Sequence, residues 1–175
     1  MYCFMHALSI LPPTNIVSRN TQFHVNLGKT LYSICEGKDD VGDTIMLIAS
    51  QINHGKELIE KDDPLRIPVA KLNMKAGQMA LDGCDHKTAY FYFHAAVSLL
   101  PDDSWRSNYD LSLRLNFCLA AAANSSCKYD DAEGTLNIIY EKARCLEDKL
   151  PAYELTVESK YIYLLLIPHN FLYCS

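Results

Sequence analysis

Glycine and proline are scarce in this chain, seven of each among 175 residues. That excludes a collagen-like repeat or a linker array, and an apolar content of 49% excludes intrinsic disorder. Basic charge is short as well: 16 Lys and Arg stand against 21 Asp and Glu, for a net charge of -5 and no dense basic block. Such a chain lacks the electrostatic footprint of a nucleic-acid binder. No two of the seven cysteines show the two-residue gap of a zinc knuckle or a thioredoxin motif. Cys84 and His86 are near neighbours, but two ligands do not make a tetrahedral metal site. The expectation for Cys3, Cys35, Cys84, Cys118, Cys127, Cys145 and Cys174 is therefore reduced thiols packed as small hydrophobes. Long hydrophobic runs are also missing. Tyr161 to Ile167 is strongly apolar but far below the roughly 20 residues of a membrane span. Met1 to Leu11 lacks a basic start and meets Pro12-Pro13 where a signal cleavage site would lie. A cytoplasmic globular domain is the expectation.

What is present is helical spacing almost everywhere. Phe23, Leu27, Leu31 and Ile34 read as the inner stripe of a first helix, with Gly37 as its stop. Asp43 reads as the cap of the next, carried by Ile45, Ile48, Ala49 and Ile52. Asp63-Pro64 reads as a helix start for Leu65, Val69, Leu72, Ala76 and Met79, ending at Gly83. Asp85 is placed to cap a helix on Ala89, Phe93, Ala96 and Leu100. Ser104 reads as the cap of a long helix through Leu111, Leu115, Cys118 and Ala122. Asp130 with Glu133 resembles a capping box for Ala132, Leu136, Ile139 and Ala143. Pro151 reads as the opening of a last segment. No stretch holds a period of two, so the expected class is all-α, with antiparallel helix pairs.

Gly77, Ala89, Phe93, Ala96 and Pro101 fall at the offsets of a tetratricopeptide unit. Gly77 and Ala89 let two helix axes approach, and Phe93 is expected to fill the space between adjacent pairs. A second copy aligns through Ala120, Ala132, Leu136 and Ile139, a step of 43 residues where about 34 is usual. The expected architecture is a tetratricopeptide-like α-solenoid. Its divisions are a remnant over 1–20, a helical pair over 21–60, two units over 61–150 and a partial third over 151–175.

Chemistry is sparse. Asn26-Leu27-Gly28-Lys29-Thr30 ends like a phosphate loop, but Phe23 stands where that motif needs glycine, and Gly28 reads as a helix-packing residue. His24, His54, His86 and His94 lie in no metal or catalytic frame. No catalytic residue, metal or cofactor is expected. The candidate surface is polar: the first helices of a tetratricopeptide array line its groove, and that register sets Lys71, Met74 and Gln78 beside Arg114, Phe117 and Asn124. Two cations with two amides suit an extended, carboxylate-bearing peptide. The alternative is a small-molecule sensor with a pocket among Tyr90, Phe91, Tyr92 and Trp105.

From about Thr21 to Glu154 the chain resembles a particular helical region. The runs FHVNLGKTL, IASQINHGKELI, PLRIPVAKLNMKAGQMAL, AYFYFHAAVSLLPDDSW and YDLSLRLNFCLAAA are similar to the tetratricopeptide-like region of large signalling proteins. In those proteins an AAA-type, STAND-related ATPase domain precedes the helices, within serine/threonine kinases or hybrid histidine kinases. Asn53-His54-Gly55, Leu72-Asn73-x-Lys75-Ala76-Gly77 and the Leu99-Leu100-Pro101 to Trp105 junction carry the likeness. The resemblance implies a non-catalytic regulatory or scaffolding module whose partner is a protein or peptide, including an ATPase or kinase domain in cis. No Walker or kinase motif is carried over. Both ends depart from the pattern, at His6 to Leu11 and in the tail YLLLIPHNFLYCS, and read as truncations.

Overall fold

The computed structural model of the chain describes residues 13–35 and 42–166. The expected stop at Gly37 and the readings of the first dozen and last nine residues lie outside what it describes, as does the side chain of Asp43, the expected cap. The described residues are all-helical, with no strand among them: α1 (Pro13–Cys35), α2 (Gly42–Asn53), α3 (Arg66–Asp82), α4 (His86–Ser98), α5 (Ser104–Ser107), α6 (Tyr109–Ser125), α7 (Tyr129–Lys142) and α8 (Leu146–Leu166). A single 3₁₀ turn at Lys56–Leu58 follows α2. None of these helices is long and apolar enough to cross a membrane.

Neighbours in sequence pack as hairpins. Gly28 lies on Ile52, and three residues earlier Val25 lies on Gly55, three residues later, so the two segments run antiparallel. The same holds for α3 and α4, where Gly77 meets Phe93, and for α6 and α7, where the Arg144 N–H just past α7 donates to the Tyr109 hydroxyl. A Cβ at Gly28 would come within 2.5 Å of Ile52 Cγ1, so close helix approach, not phosphate binding, explains that glycine. One cluster joins Ile48, Ile52, Val69, Ala76, Phe93 and Leu99 to Leu115 and Leu119 of α6. A smaller one gathers Ala120, Leu136, Ile139, Ala143 and Ala152 on the other side of α6.

The structure revises several local readings. Of the expected inner stripe of α1, Leu31 packs on the larger cluster, whereas Phe23, Leu27 and Ile34 are exposed, and it is Val25 that is buried and Gly28 that lies against α2. Phe93 fills the crossing inside its own pair, against Gly77, instead of a gap between pairs. The Asp63 carboxylate accepts the Leu65 N–H at 2.8 Å, and α3 begins beyond Pro64, at Arg66. The helix expected from Ser104 is broken at Asn108 (φ -137°, ψ 53°) into α5 and α6. Asp130 does not cap: α7 begins at Tyr129, and Asp130 and Asp131 sit in its first turn, where carboxylates favour the helix dipole. α8 begins before Pro151, which lies inside it. Cys84, Cys127 and Cys145 are exposed, contrary to the expectation of core thiols, because all three occupy the links between helices. Asp85, by contrast, caps α4 as read, accepting the Thr88 N–H at 3.0 Å.

The 43-residue step is visible in the backbone. Cys84 and Cys127 both adopt φ 59°, the left-handed conformation that ends a helix. Around the first, Gly83, Cys84 and Asp85 donate to the carbonyls of Met79, Leu81 and Ala80; around the second, Ser126, Cys127 and Lys128 donate to Ala122, Asn124 and Ala123. Each donor and acceptor in one turn has its counterpart 43 residues on in the other. Buried amides repeat too: Asn73 donates to the Val69 carbonyl at 3.0 Å and Asn116 to the Ser112 carbonyl at 2.8 Å. Arg66 ties the first hairpin to its flanks, donating to the carbonyls of Leu99, Ser98 and Ile59. Its charge thereby sits at the negative end of α4.

Candidate functional site

The six residues expected to line a groove fall on the first helices of the two repeated hairpins, α3 and α6, and α3 and α6 share the larger apolar cluster with α4. Lys71 and Arg114 occupy equivalent positions, 43 residues apart. Both are exposed, and neither forms an ion pair or hydrogen bond with another described residue. Arg114 does lower the Cys118 thiol electrostatically, but burial is the larger influence and pushes that thiol up. Met74 and Phe117 are also equivalent and half-buried one turn on, so each cation lies beside an apolar step.

The other members are less available than the sequence suggested. Gln78 is exposed but donates to the Asp82 carboxylate at 3.0 Å, four residues along its own helix. Asn124 accepts from the Ser159 hydroxyl at 2.8 Å, joining the end of α6 to α8. Met74 packs on the larger cluster and Phe117 on the smaller one, and no hydrogen bond or ion pair among the described residues links the α3 trio to the α6 trio. What the face offers chemically is two spaced cations: a guanidinium fork suited to a carboxylate and an ammonium acting as a point charge.

The aromatic residues do not converge. Tyr90, Phe91 and Tyr92 are consecutive on α4 and so point about 100° apart. Tyr92 is buried and donates to the Met46 carbonyl at 3.1 Å; Phe91 is exposed; Trp105 packs on the smaller cluster. Tyr90 lines a groove of about 440 Å³ between α4 and α7, whose floor includes Asn116. Its hydroxyl donates to Asp131 at 2.9 Å, with Lys128 over its ring at 4.8 Å. Partial burial, and then the Asp131 carboxylate, raise that phenol above its ordinary pKa. The histidines are dispersed: His24 bonds Gln51 at 2.7 Å and packs against His54, while His94 lies beside Tyr90.

Sequence reading missed a second concavity, of about 330 Å³, between α7 and α8. Leu136 and Leu155 supply its apolar walls, and Glu133, Asn137, Ser159 and Lys160 its polar ones. Tyr140 closes one side, its hydroxyl donating to the Ala152 carbonyl at 2.9 Å and stacking its ring on Tyr153. The signal was weak because α8 has an apolar pattern on more than one face. Among the described residues no three His, Cys, Asp or Glu side chains gather as a metal site. No protein-family model, curated protein or solved structure matches the chain.

Proposed function

We propose that this chain is a non-catalytic interaction module, a tetratricopeptide-like array that binds an extended acidic peptide across α3 and α6. The observation that carries the reading is the repetition of Lys71 by Arg114 at equivalent exposed positions of two like hairpins, each cation without a carboxylate partner. An extended peptide running across stacked hairpins meets the same position of each in turn, so acidic groups at a matching interval pair with both cations. A segment of an ATPase or kinase domain in the same polypeptide fits this chemistry as well as a separate partner does.

Fluorescence anisotropy with a labelled, extended Glu-rich peptide tests it. Lys71→Glu and Arg114→Glu should each weaken binding by roughly tenfold or more, the scale of one lost charge-assisted hydrogen bond. Lys142→Glu, on α7, should change it little. Undiminished binding by both of the first two variants retires the reading. A second reading, small-molecule sensing, is favoured by the α7–α8 concavity, whose 330 Å³ falls at the lower end of ligand-site volumes. Saturable quenching of a label at Tyr129 by a small-molecule panel would support it.

A further inference from the structure

α2 and α3 meet through a pair of amides, and the next junction, between α4 and α6, keeps only one of them. Asn53 ends α2 and follows Ile52, the side chain that packs on the Gly28 crossing. It exchanges hydrogen bonds of 2.7 and 3.1 Å with Asn73 of α3, and Asn73 also donates to the Val69 carbonyl. Asn116 of α6 repeats Asn73, donating to the Ser112 carbonyl at 2.8 Å. In the place of Asn53 stands His94, which follows Phe93 on the Gly77 crossing. His94 lies against the Tyr90 ring and forms no hydrogen bond with Asn116. The carbonyl oxygen and the second N–H of the Asn116 amide therefore have no partner among the described residues. Asn116 is only 2% exposed, yet its amide is not sealed into the core: with His94 it lines the α4–α7 groove of about 440 Å³.

An amide buried this deeply is costly to leave unmet. The earlier junction shows which group meets it: a second carboxamide, which gives an N–H to the oxygen and takes one from the nitrogen. Val97, Leu119 and Ile138 supply apolar walls, while Asp130 and Asp131 on the same groove disfavour an anion. An ammonium donates to the oxygen but has no acceptor for the free N–H. Gly134 widens the groove. It lies inside α7, where glycine is unfavourable, and a Cβ there would meet nothing within 4 Å. Helix packing does not require this glycine; the space it leaves belongs to the groove. We propose that the α4–α7 groove binds a small, uncharged ligand carrying a carboxamide on an apolar body, its amide pairing with Asn116 as Asn53 pairs with Asn73. The volume suits such a molecule, since ligand sites run from about 300 to 1,000 Å³. The site shares no residue with the α3–α6 peptide surface or with the α7–α8 concavity.

Titration of the isotope-labelled, full-length chain with benzamide, benzoate and benzylamine, followed by amide NMR, tests it. Benzamide should give saturable shifts at the Asn116 side-chain amide and around Val97, Leu119 and Ile138. Benzoate and benzylamine should bind about tenfold more weakly or worse, because neither makes both hydrogen bonds. Asn116→Leu, similar in volume, should weaken benzamide binding by about tenfold or more. Gly134→Leu is the independent check. Its side chain enters the groove from an open position on a helix, so binding should be lost while helicity and melting temperature are kept or raised. Absence of saturable shifts at the groove overturns the proposal. So does equal or tighter binding of benzoate or benzylamine, or benzamide binding that survives either variant.

Discussion

The two repeated hairpins solve one packing problem in two ways. In α3–α4 the helices cross at Gly77, and the wholly buried Phe93 ring occupies the space a side chain would have taken. In α6–α7 the equivalent positions are Ala120 and Leu136, a larger crossing residue with a smaller filler. Volume is traded between the partners, while the turn geometry, with its left-handed cysteine, is held constant. The hairpins also differ in polar satisfaction. Asn73 of the first exchanges reciprocal bonds with Asn53 at 2.7 and 3.1 Å. In the second, Ser112 stands where Val69 does in the first, buried and with no partner for its hydroxyl. Backbone geometry is thus the repeated quantity, and side chains are free to vary where their sum fills the gap.

The largest effect should come from emptying the first crossing. Phe93→Ala should destabilise the chain by about 3–5 kcal/mol, read by urea unfolding, and Leu136→Ala in the second hairpin by less. Next is overfilling: a Cβ at Gly77 would sit 2.6 Å from Phe93 Cε1. Gly77→Ala should therefore lose about 1–3 kcal/mol. The double variant Gly77→Ala with Phe93→Leu, which installs the second hairpin's solution in the first, should recover much of that loss. Strict additivity in this cycle would mean that the two positions are not exchanging volume.

Smaller and opposite in sign is the effect at the turns. Cys84→Gly and Cys127→Gly should each stabilise by about 0.5–1 kcal/mol, since glycine accepts the left-handed conformation without steric cost. A gain at one and a loss at the other would break the equivalence of the turns. The least effect is acid sensitivity, and it separates the hairpins. Hydrogen bonds from Thr88, its side chain first and then its backbone, hold the Asp85 carboxyl below the ordinary 3.8. Its contribution is complete above that value and disappears as pH falls through the lower folded-state one. Asp85→Asn should flatten the melting temperature against pH below about pH 4. The second hairpin has Lys128 at this position and no side-chain cap, so Lys128→Asn should leave that slope unchanged.

Much of the fold was legible because the interior helices have one obvious apolar stripe each: Ile48, Ala49 and Ile52, or Ala89, Phe93 and Ala96, are buried as their spacing requires. α1 misled because it has two apolar faces, and periodicity alone does not say which one meets a neighbour. The inward choice rests on Gly28, whose missing Cβ allows Ile52 to approach. The break at Asn108 had no Gly or Pro to mark it, and the start signal of Pro151 falls within a helix that already runs from Leu146. At the candidate surface, sequence spacing identified Lys71 and Arg114 as equivalent. It had no means of foreseeing that Asn124 is engaged by Ser159, because α6 and α8 meet only in the folded chain.

Amide chemical-shift mapping of the labelled protein, titrated with the extended Glu-rich peptide, tests the central claim most directly. Saturable shifts around both Lys71 and Arg114, lost together on charge reversal at either, are the predicted result. Shifts confined to the α7–α8 concavity around Tyr140 and Ser159, or no shifts at all, would contradict it.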